Sequence, residues 1–230
     1  MKVLIIVTSI GSYANQDLPT GLWLGEFTHF YHQAQAQGFD ITVASPRGGA
    51  TPIDPVSLQA LLLDGLSKTC LAVDGFRAVL EQTKTLHEVS NELFDCVFLT
   101  GGHGTMYDFP NNGTLQNILA AHYENGKLVG AVCHGVSGLL NVRLGNGEYL
   151  VKGRKVTGYD WFEERLARRQ KQVPFNLEKE LKRRGAAYKK AFIPMIPNVC
   201  EDENLITGQN PFSSKAIATR LIARLQGRKR

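Results

Sequence analysis

The sequence has no apolar run approaching the ~20 residues that cross a bilayer; its longest, such as Val3–Val7, are far shorter. It has no C-x-x-C: the four cysteines stand alone at positions 70, 96, 133 and 200. That spacing fits neither a zinc site nor a disulfide framework. It has no low-complexity tract, internal repeat or Pro/Ser-rich linker, and 9% of its residues are aromatic, which excludes a disordered chain. An export signal is also missing. MKVLIIVTSI starts like one but runs into Gly-Ser-Tyr-Ala-Asn-Gln without an adequate hydrophobic region, so it reads as a first β-strand. These absences lead us to expect a cytoplasmic protein with reduced thiols and no membrane association. A chain of 230 residues buries roughly 70–75% of its unfolded surface without metal or disulfide staples. We expect a single domain over 1–230.

Charge is present but unevenly placed. The net charge is +5, which alone suggests nucleic acid or a membrane surface. Between Arg165 and Lys190, however, ten Lys or Arg face two Glu, and the rest of the chain is slightly acidic apart from Arg228, Lys229 and Arg230. Around Glu178–Arg184 the pattern is an amphipathic helix with Leu177 and Leu181 inward and no aromatic interleaving. A solvated basic face, away from any active site and not a nucleic-acid interface, is expected.

Strand and helix patterns alternate. Apolar runs predict strands at Lys2–Thr8, Asp40–Ala44, Asp95–Thr100 and Leu128–Cys133, with short ones near 187–189 and 204–207. Helical spacing predicts Gly21–Gln37, Leu58–Leu66, Asp74–Lys84, Thr114–Asn125, Gly135–Val142, segments near 160–168 and 176–184, and Ser213–Leu225. Asn146-Gly147 signals a hairpin. Solidly apolar strands between helices argue for an α/β, flavodoxin-like, doubly wound parallel sheet, with a small hairpin and helical cap inserted over roughly 143–190. Chemistry in such sheets collects at the strand carboxyl ends. The search therefore narrows to loops near Thr8, Thr100 and Cys133.

The strongest motif is Ala131-Val132-Cys133-His134-Gly135-Val136-Ser137-Gly138. Its small neighbours suit a nucleophile elbow, where a strand turns sharply into a helix. A cysteine there meets the positive end of the helix dipole, which would favour thiolate. For Cys96, inside an apolar strand, a core role is expected instead. The second motif is Thr100-Gly101-Gly102-His103-Gly104-Thr105. Its glycines let backbone N–H groups approach a ligand; one of them, with the His134 N–H, would form an oxyanion hole. It is not a dinucleotide fingerprint, because Tyr107 replaces the last glycine. The third is Thr20-Gly21-Leu22-Trp23-Leu24-Gly25-Glu26. Glu26 shares a face with Leu22, Trp23 and Phe30, so its pKa should rise toward that of a general acid or base. The alternative is a first-turn Glu complementing the dipole. His29 and His32 read as packing or surface residues. His87, Glu92 and His122 lack ligand spacing, and no metal is expected.

With these motifs the chain resembles the ThiJ/PfpI superfamily of class I glutamine-amidotransferase-like proteins, and within it the heat-shock-protein-31-like, glyoxalase III branch. Ala44-Ser45-Pro46-Arg47-Gly48-Gly49, Met106-Tyr107-Asp108, Val156-Thr157-Gly158-Tyr159, Val173-Pro174-Phe175 and Leu205-Ile206-Thr207-Gly208-Gln209-Asn210-Pro211 extend the resemblance over the whole chain. The resemblance implies Cys133 as nucleophile, His134 as acid/base, Glu26 as the acidic partner, and Gly102, His103 and Gly135 as substrate-binding or oxyanion residues. Val136 stands where the family has Pro, Phe30 where it has Pro, and Asp160-Trp161 where it has Thr-Asn or Thr-Asp. The last departure implies an altered wall near Trp161.

The activity implied is cofactor-free conversion of methylglyoxal-type 2-oxoaldehydes to 2-hydroxy acids (glyoxalase III or D-lactate dehydratase, with deglycase activity reported in the branch). A homodimer is implied too. A stress-response holdase acting on unfolded clients is the alternative from another class. A cysteine peptidase or amidase is a third, disfavoured because adjacent Cys133 and His134 side chains tend to diverge at a strand–helix corner.

Overall fold

A computed structural model of the chain describes residues 1–14 and 17–227; Arg228–Arg230 lie outside the described residues. The strands are β1 (Lys2–Ile6), β2 (Asp40–Ser45), β3 (Lys84–Thr85), β4 (Cys96–Leu99), β5 (Leu128–Val132), β6 (Lys155–Val156), β7 (Ala187–Tyr188), β8 (Val199–Asp202) and β9 (Leu205–Gly208). The helices are α1 (Leu24–Ala36), α2 (Gly65–Leu71), α3 (Phe76–Glu81), α4 (Leu86–Val89), α5 (Thr105–Asp108), α6 (Gly113–Glu124), α7 (Trp161–Leu166), α8 (Leu177–Arg183) and α9 (Ser214–Gly227). No described helix is long and apolar enough to cross a membrane.

Seven strands form one sheet in the order β3-β2-β1-β4-β5-β9-β8. All pairs are parallel except β8–β9. Alternation along β1 divides the core between two faces. Leu4 and Ile6 pack with Phe109, Leu115 and Ile118 on one side. Val3, Ile5 and Val7 pack with Phe27, Phe30, Ile217 and Leu221 on the other. This is the doubly wound arrangement expected. The winding reverses between β1 and β4, because β2 and β3 lie on one side of β1 and β4 on the other. The loops after β1, β4 and β5 therefore meet at the switch point.

Several boundaries differ from expectation. Helix α1 starts at Leu24, because Leu22 is drawn into an extended bridge: its N–H bonds to Pro52 O at 2.8 Å, and its carbonyl accepts from Asp54 N–H at 2.9 Å. No helix spans Leu58–Leu66. Two N-caps split that segment, Asp54 accepting from Val56 N–H and Asp64 from Ser67 N–H, so a short 3₁₀ turn over Pro55–Leu58 and then α2 form instead. The third predicted helix shrinks to α3, because Lys84 and Thr85 join the sheet edge. Gly135–Val142 is not an α-helix; a 3₁₀ run covers Cys133–Leu139. The Asn146-Gly147 turn forms, but its arms reduce to a single Arg143–Tyr149 bridge. Strand β8 escapes the sequence pattern because of its acidic residues; Glu201 pairs with Arg220 and Arg224 of α9.

The segment over 143–190 contributes Leu150, Val151, Val156, Leu177 and Leu181 to the same apolar cluster as α6. Strands β6 and β7 pair in a separate two-stranded sheet. The cap is thus packed onto the sheet domain through shared core.

Candidate active site

The site is built from the ends of β1, β4 and β5 and from α7 of the cap. Cys133 comes directly after β5 and takes φ 58°, a left-handed conformation that a non-glycine residue adopts only where the surroundings enforce it. The elbow turns its thiol to the same side as the next imidazole: Sγ lies 3.3 Å from His134 Nδ1. The expected divergence of Cys133 and His134 is therefore corrected.

The third member of this set carries no signal in the sequence motifs. Glu164, in the first turns of α7, accepts from His134 Nε2 at 2.7 Å and from His103 Nε2 at 2.9 Å, one imidazole on each oxygen. All three side chains are buried. In sequence, Glu163-Glu164 after the N-cap Asp160 looks like an ordinary acidic first turn. Burial would raise the Glu164 carboxyl. Attraction to His134 whenever that ring is protonated, and the hydrogen bonds from the two imidazoles, outweigh it and hold Glu164 well below the usual carboxylate range. An ionised Glu164 accepts a hydrogen bond from His134 Nε2–H, which keeps the proton on Nε2 and leaves Nδ1 bare toward the thiol. His134 itself is pushed down by burial and by neighbouring His103, which keeps the ring neutral. Its ring lies between His103 and Tyr159, with centroids 4.1 and 4.4 Å away.

Glu26 approaches from the other side. It is buried in α1, and Oε2 accepts from Gly101 N–H at 2.7 Å. Burial pushes its carboxyl up to about 8, against opposing hydrogen bonds from Cys133 and Gly101. Among the described residues Oε1 has no hydrogen-bond partner. Gly101 is the wedge that allows this approach: a Cβ there would lie 2.5 Å from Glu26 Oε2, 2.8 Å from Val132 O and 3.0 Å from Cys133 Cβ. Gly102 takes φ 98°, and a Cβ there would lie 2.0 Å from Gly21 O. Only glycine meets both demands.

The thiol does not behave as the dipole argument expected. Burial and the adjacent Glu26 raise the Cys133 pKa well above that of a free thiol, and the His134 N–H opposes this only weakly. The cysteine opens a fully buried 3₁₀ run, and desolvation of a thiolate dominates there.

Gly102, His103, Cys133 and His134 line one cavity of ≈ 230 Å³, with Tyr13, Tyr159 and Arg169 on its walls. Gly135 does not line it. It packs behind the elbow, where a Cβ would lie 2.2 Å from Thr100 O. Trp161 does not form the wall either: it packs half-buried against the core, and Tyr159 takes the wall position. The basic segment does not stand apart from the site, because its first part carries Arg169 onto the cavity. His122 lies elsewhere; it bonds Ile118 O and accepts from Phe94 N–H, a structural role.

His103, His134 and Glu164 are also the group of possible metal ligands among the described residues, with ligand atoms within 4.8 Å of one another. Their N···O distances of 2.7 and 2.9 Å are shorter than the about 3.3 Å between ligands that share a tetrahedral ion. As arranged, they form a proton network.

A family model for the DJ-1/PfpI family matches residues 21–224. The chain belongs to that family. Within it, the chain is 30% identical over 236 residues to the glutathione-independent glyoxalase HSP31 of Saccharomyces cerevisiae, covering 98% of each. Among solved structures, glyoxalase III of Candida albicans superposes with a TM-score of 0.86 at 30% identity, over 96% of both chains. A rapid encystment protein of Francisella tularensis superposes with a TM-score of 0.92 at 35% identity, over 97% of this chain and 98% of its own. Likeness of this extent covers the cap as well as the sheet.

Proposed function

We propose that the protein is a glutathione-independent, cofactor-free glyoxalase that converts methylglyoxal-type 2-oxoaldehydes to 2-hydroxy acids, D-lactate in the case of methylglyoxal. The observation that carries this reading is a thiol on the wall of a small cavity, flanked by two proton-transfer groups of different character. His134 Nδ1 stands beside Sγ, and Glu26 is held near neutrality.

The thiol starts protonated. As Sγ attacks the aldehyde carbon, its proton passes to His134 Nδ1 and from there to the new alkoxide oxygen, which completes a hemithioacetal and returns His134 to its neutral form. In its ionised form Glu26 removes the proton on the former aldehyde carbon, giving an enediolate, and returns it to the adjacent carbon, while the hydroxyl proton moves from the former aldehyde oxygen to the former ketone oxygen. The former aldehyde carbon is thereby oxidised to a thioester and the ketone carbon reduced to an alcohol, so electrons balance within the substrate. Water, activated through His134 and Glu164, releases the 2-hydroxy acid and restores the thiol. A base of raised pKa suits the carbon–proton steps. Backbone N–H groups near Gly102 and His134 would stabilise the oxyanions, at a few kcal/mol. The triad geometry removes the steric objection to acyl transfer, and thioester hydrolysis is an acyl transfer. A cavity of ≈ 230 Å³ favours a small substrate over a peptide.

The test is methylglyoxal consumption and lactate formation without glutathione, by the native protein and Cys133→Ala. Parental turnover by the alanine variant would overturn the reading.

A holdase role remains a second reading on one observation. Leu62, Met195 and Phe212 at the cavity and Phe192, Ile193 and Ile196 nearby in sequence are exposed. Suppression of client aggregation should then be equal in the native protein and Cys133→Ala.

A further inference from the structure

Helix α7 ends in a Schellman arrangement. The Arg168 N–H bonds to Arg165 O and the Arg169 N–H to Glu164 O, both at 3.1 Å, and Arg168 takes φ 56° in the position usually held by glycine. The reversal lays Arg169 on the wall of the cavity that Cys133 also lines. The element that supplies Glu164 thus also supplies Arg169.

The guanidinium lies over the Tyr13 ring, 5.8 Å from its centroid. Tyr13 in turn contacts His103, with centroids 5.5 Å apart, so one continuous wall runs from Arg169 to the triad. Among the described residues Arg169 is the only arginine or lysine on that wall, and no carboxylate pairs with it. Further along the same segment the pattern is opposite: Lys182 pairs with Glu178, and Arg183 and Arg184 with Glu180. The carboxylate on the cavity wall and the one behind its imidazoles are engaged elsewhere. Asp54 accepts from the Thr20 hydroxyl and Val56 N–H, and Glu164 from its two imidazoles. A half-buried guanidinium whose donors meet no acceptor among the described residues matches a carboxylate or phosphate in the planar, two-point manner that suits arginine. A three-carbon aldehyde on Cys133 also leaves space. The cavity of ≈ 230 Å³ exceeds the about 150 Å³ that holds a benzene molecule.

We propose that the site takes 2-oxoaldehydes carrying an anionic group, carboxylate or phosphate, at the end remote from the aldehyde, and that Arg169 recognises that group. The reacting end rests on the glyoxalase reading above; the anion subsite does not.

Two measurements separate the two claims. The first compares kcat/KM for 4,5-dioxopentanoate with that for its methyl ester, and for 3-phosphooxy-2-oxopropanal with that for methylglyoxal. At least one anionic member should be preferred by about tenfold or more, mainly through KM, and the favoured arm identifies carboxylate or phosphate. The preference should fall to near one in Arg169→Met, persist in part in Arg169→Lys, and stay at the native value in Arg183→Met, an exposed control. The second is calorimetric titration with unreactive 4-oxopentanoate and 4-oxopentanamide, which needs no turnover. The anion should bind more tightly than the amide, and Arg169→Met should abolish the difference. A native preference near one in both arms, or a preference unchanged in Arg169→Met, overturns the proposal. If no oxoaldehyde is turned over while the titration difference and its loss hold, the subsite stands and the glyoxalase reading falls.

Discussion

The two walls of the cavity are made by different means. One comes from the switch point of the sheet: Gly101 and Cys133 stand on loops that follow the buried strands β4 and β5, and Glu26 reaches them from the first turn of α1. The other comes from the cap, where a six-residue helix delivers Glu164, and the turn after it delivers Arg169. The sheet wall holds the groups proposed to bond with substrate carbon or move its protons. The cap wall holds groups proposed to set a tautomer and to recognise the remote end. Substitutions should therefore differ in kind as well as in size.

The largest effect is expected on the sheet wall. Cys133→Ala should abolish methylglyoxal turnover, while calorimetry still shows a cooperative melting transition. Glu26→Gln should cost about 10²–10⁴ in kcat, measured at saturating methylglyoxal. It carries a second signature. The folded pKa of about 8 lies above that of an unfolded glutamate, so native Glu26 stabilises the fold below about pH 4.5 relative to higher pH, and that stability is lost as pH rises toward 8. Replacing it with Gln should raise thermal stability at pH 8 and change little at pH 4.5. An unchanged pH dependence of Tm would contradict the raised pKa.

The cap wall should respond more mildly. Glu164→Gln should lower kcat by about 10–10², because an amide favours the wrong His134 tautomer. The Glu164 charge raises the His134 pKa, so its removal should move the acid limb of the pH–rate profile to lower pH. A loss as large as that of Cys133→Ala would erase the distinction between the walls. The smallest effect concerns backbone alone. Arg168→Gly should stabilise the protein by up to about 1 kcal/mol, by relieving a left-handed non-glycine residue, read as a Tm rise of about 2–4 °C.

The sheet wall was legible in the sequence because its logic is local. A buried strand followed by glycines, or by a cysteine among small residues, already states that backbone bends closely there. Switch-point topology then brings three such loops together. Glu164 was not legible, since nothing in its neighbours distinguishes it from an exposed first-turn glutamate; only the packing of the cap onto the sheet decides it. Charge counting failed similarly. The excess over 165–190 is one number, but Arg183 and Arg184 are neutralised locally while Arg169 is not. The dipole argument for Cys133 considered the helix end and omitted the desolvation that outweighs it.

Helix α7 has too few turns to hold itself together, and helices this short depend on their packing. Its N-cap Asp160 and the buried Glu163, which accepts from Met195 N–H and the Asn210 side chain, tie it down at one end. The triad therefore includes a member whose anchorage can be lost by local opening, at a free energy below that of global unfolding. On warming, catalysis should fail before the sheet melts, and amides of α7 should exchange with deuterium earlier than those of β4 and β5. Heat would then disarm the thiol reversibly, leaving an intact scaffold that regains its proton relay on cooling.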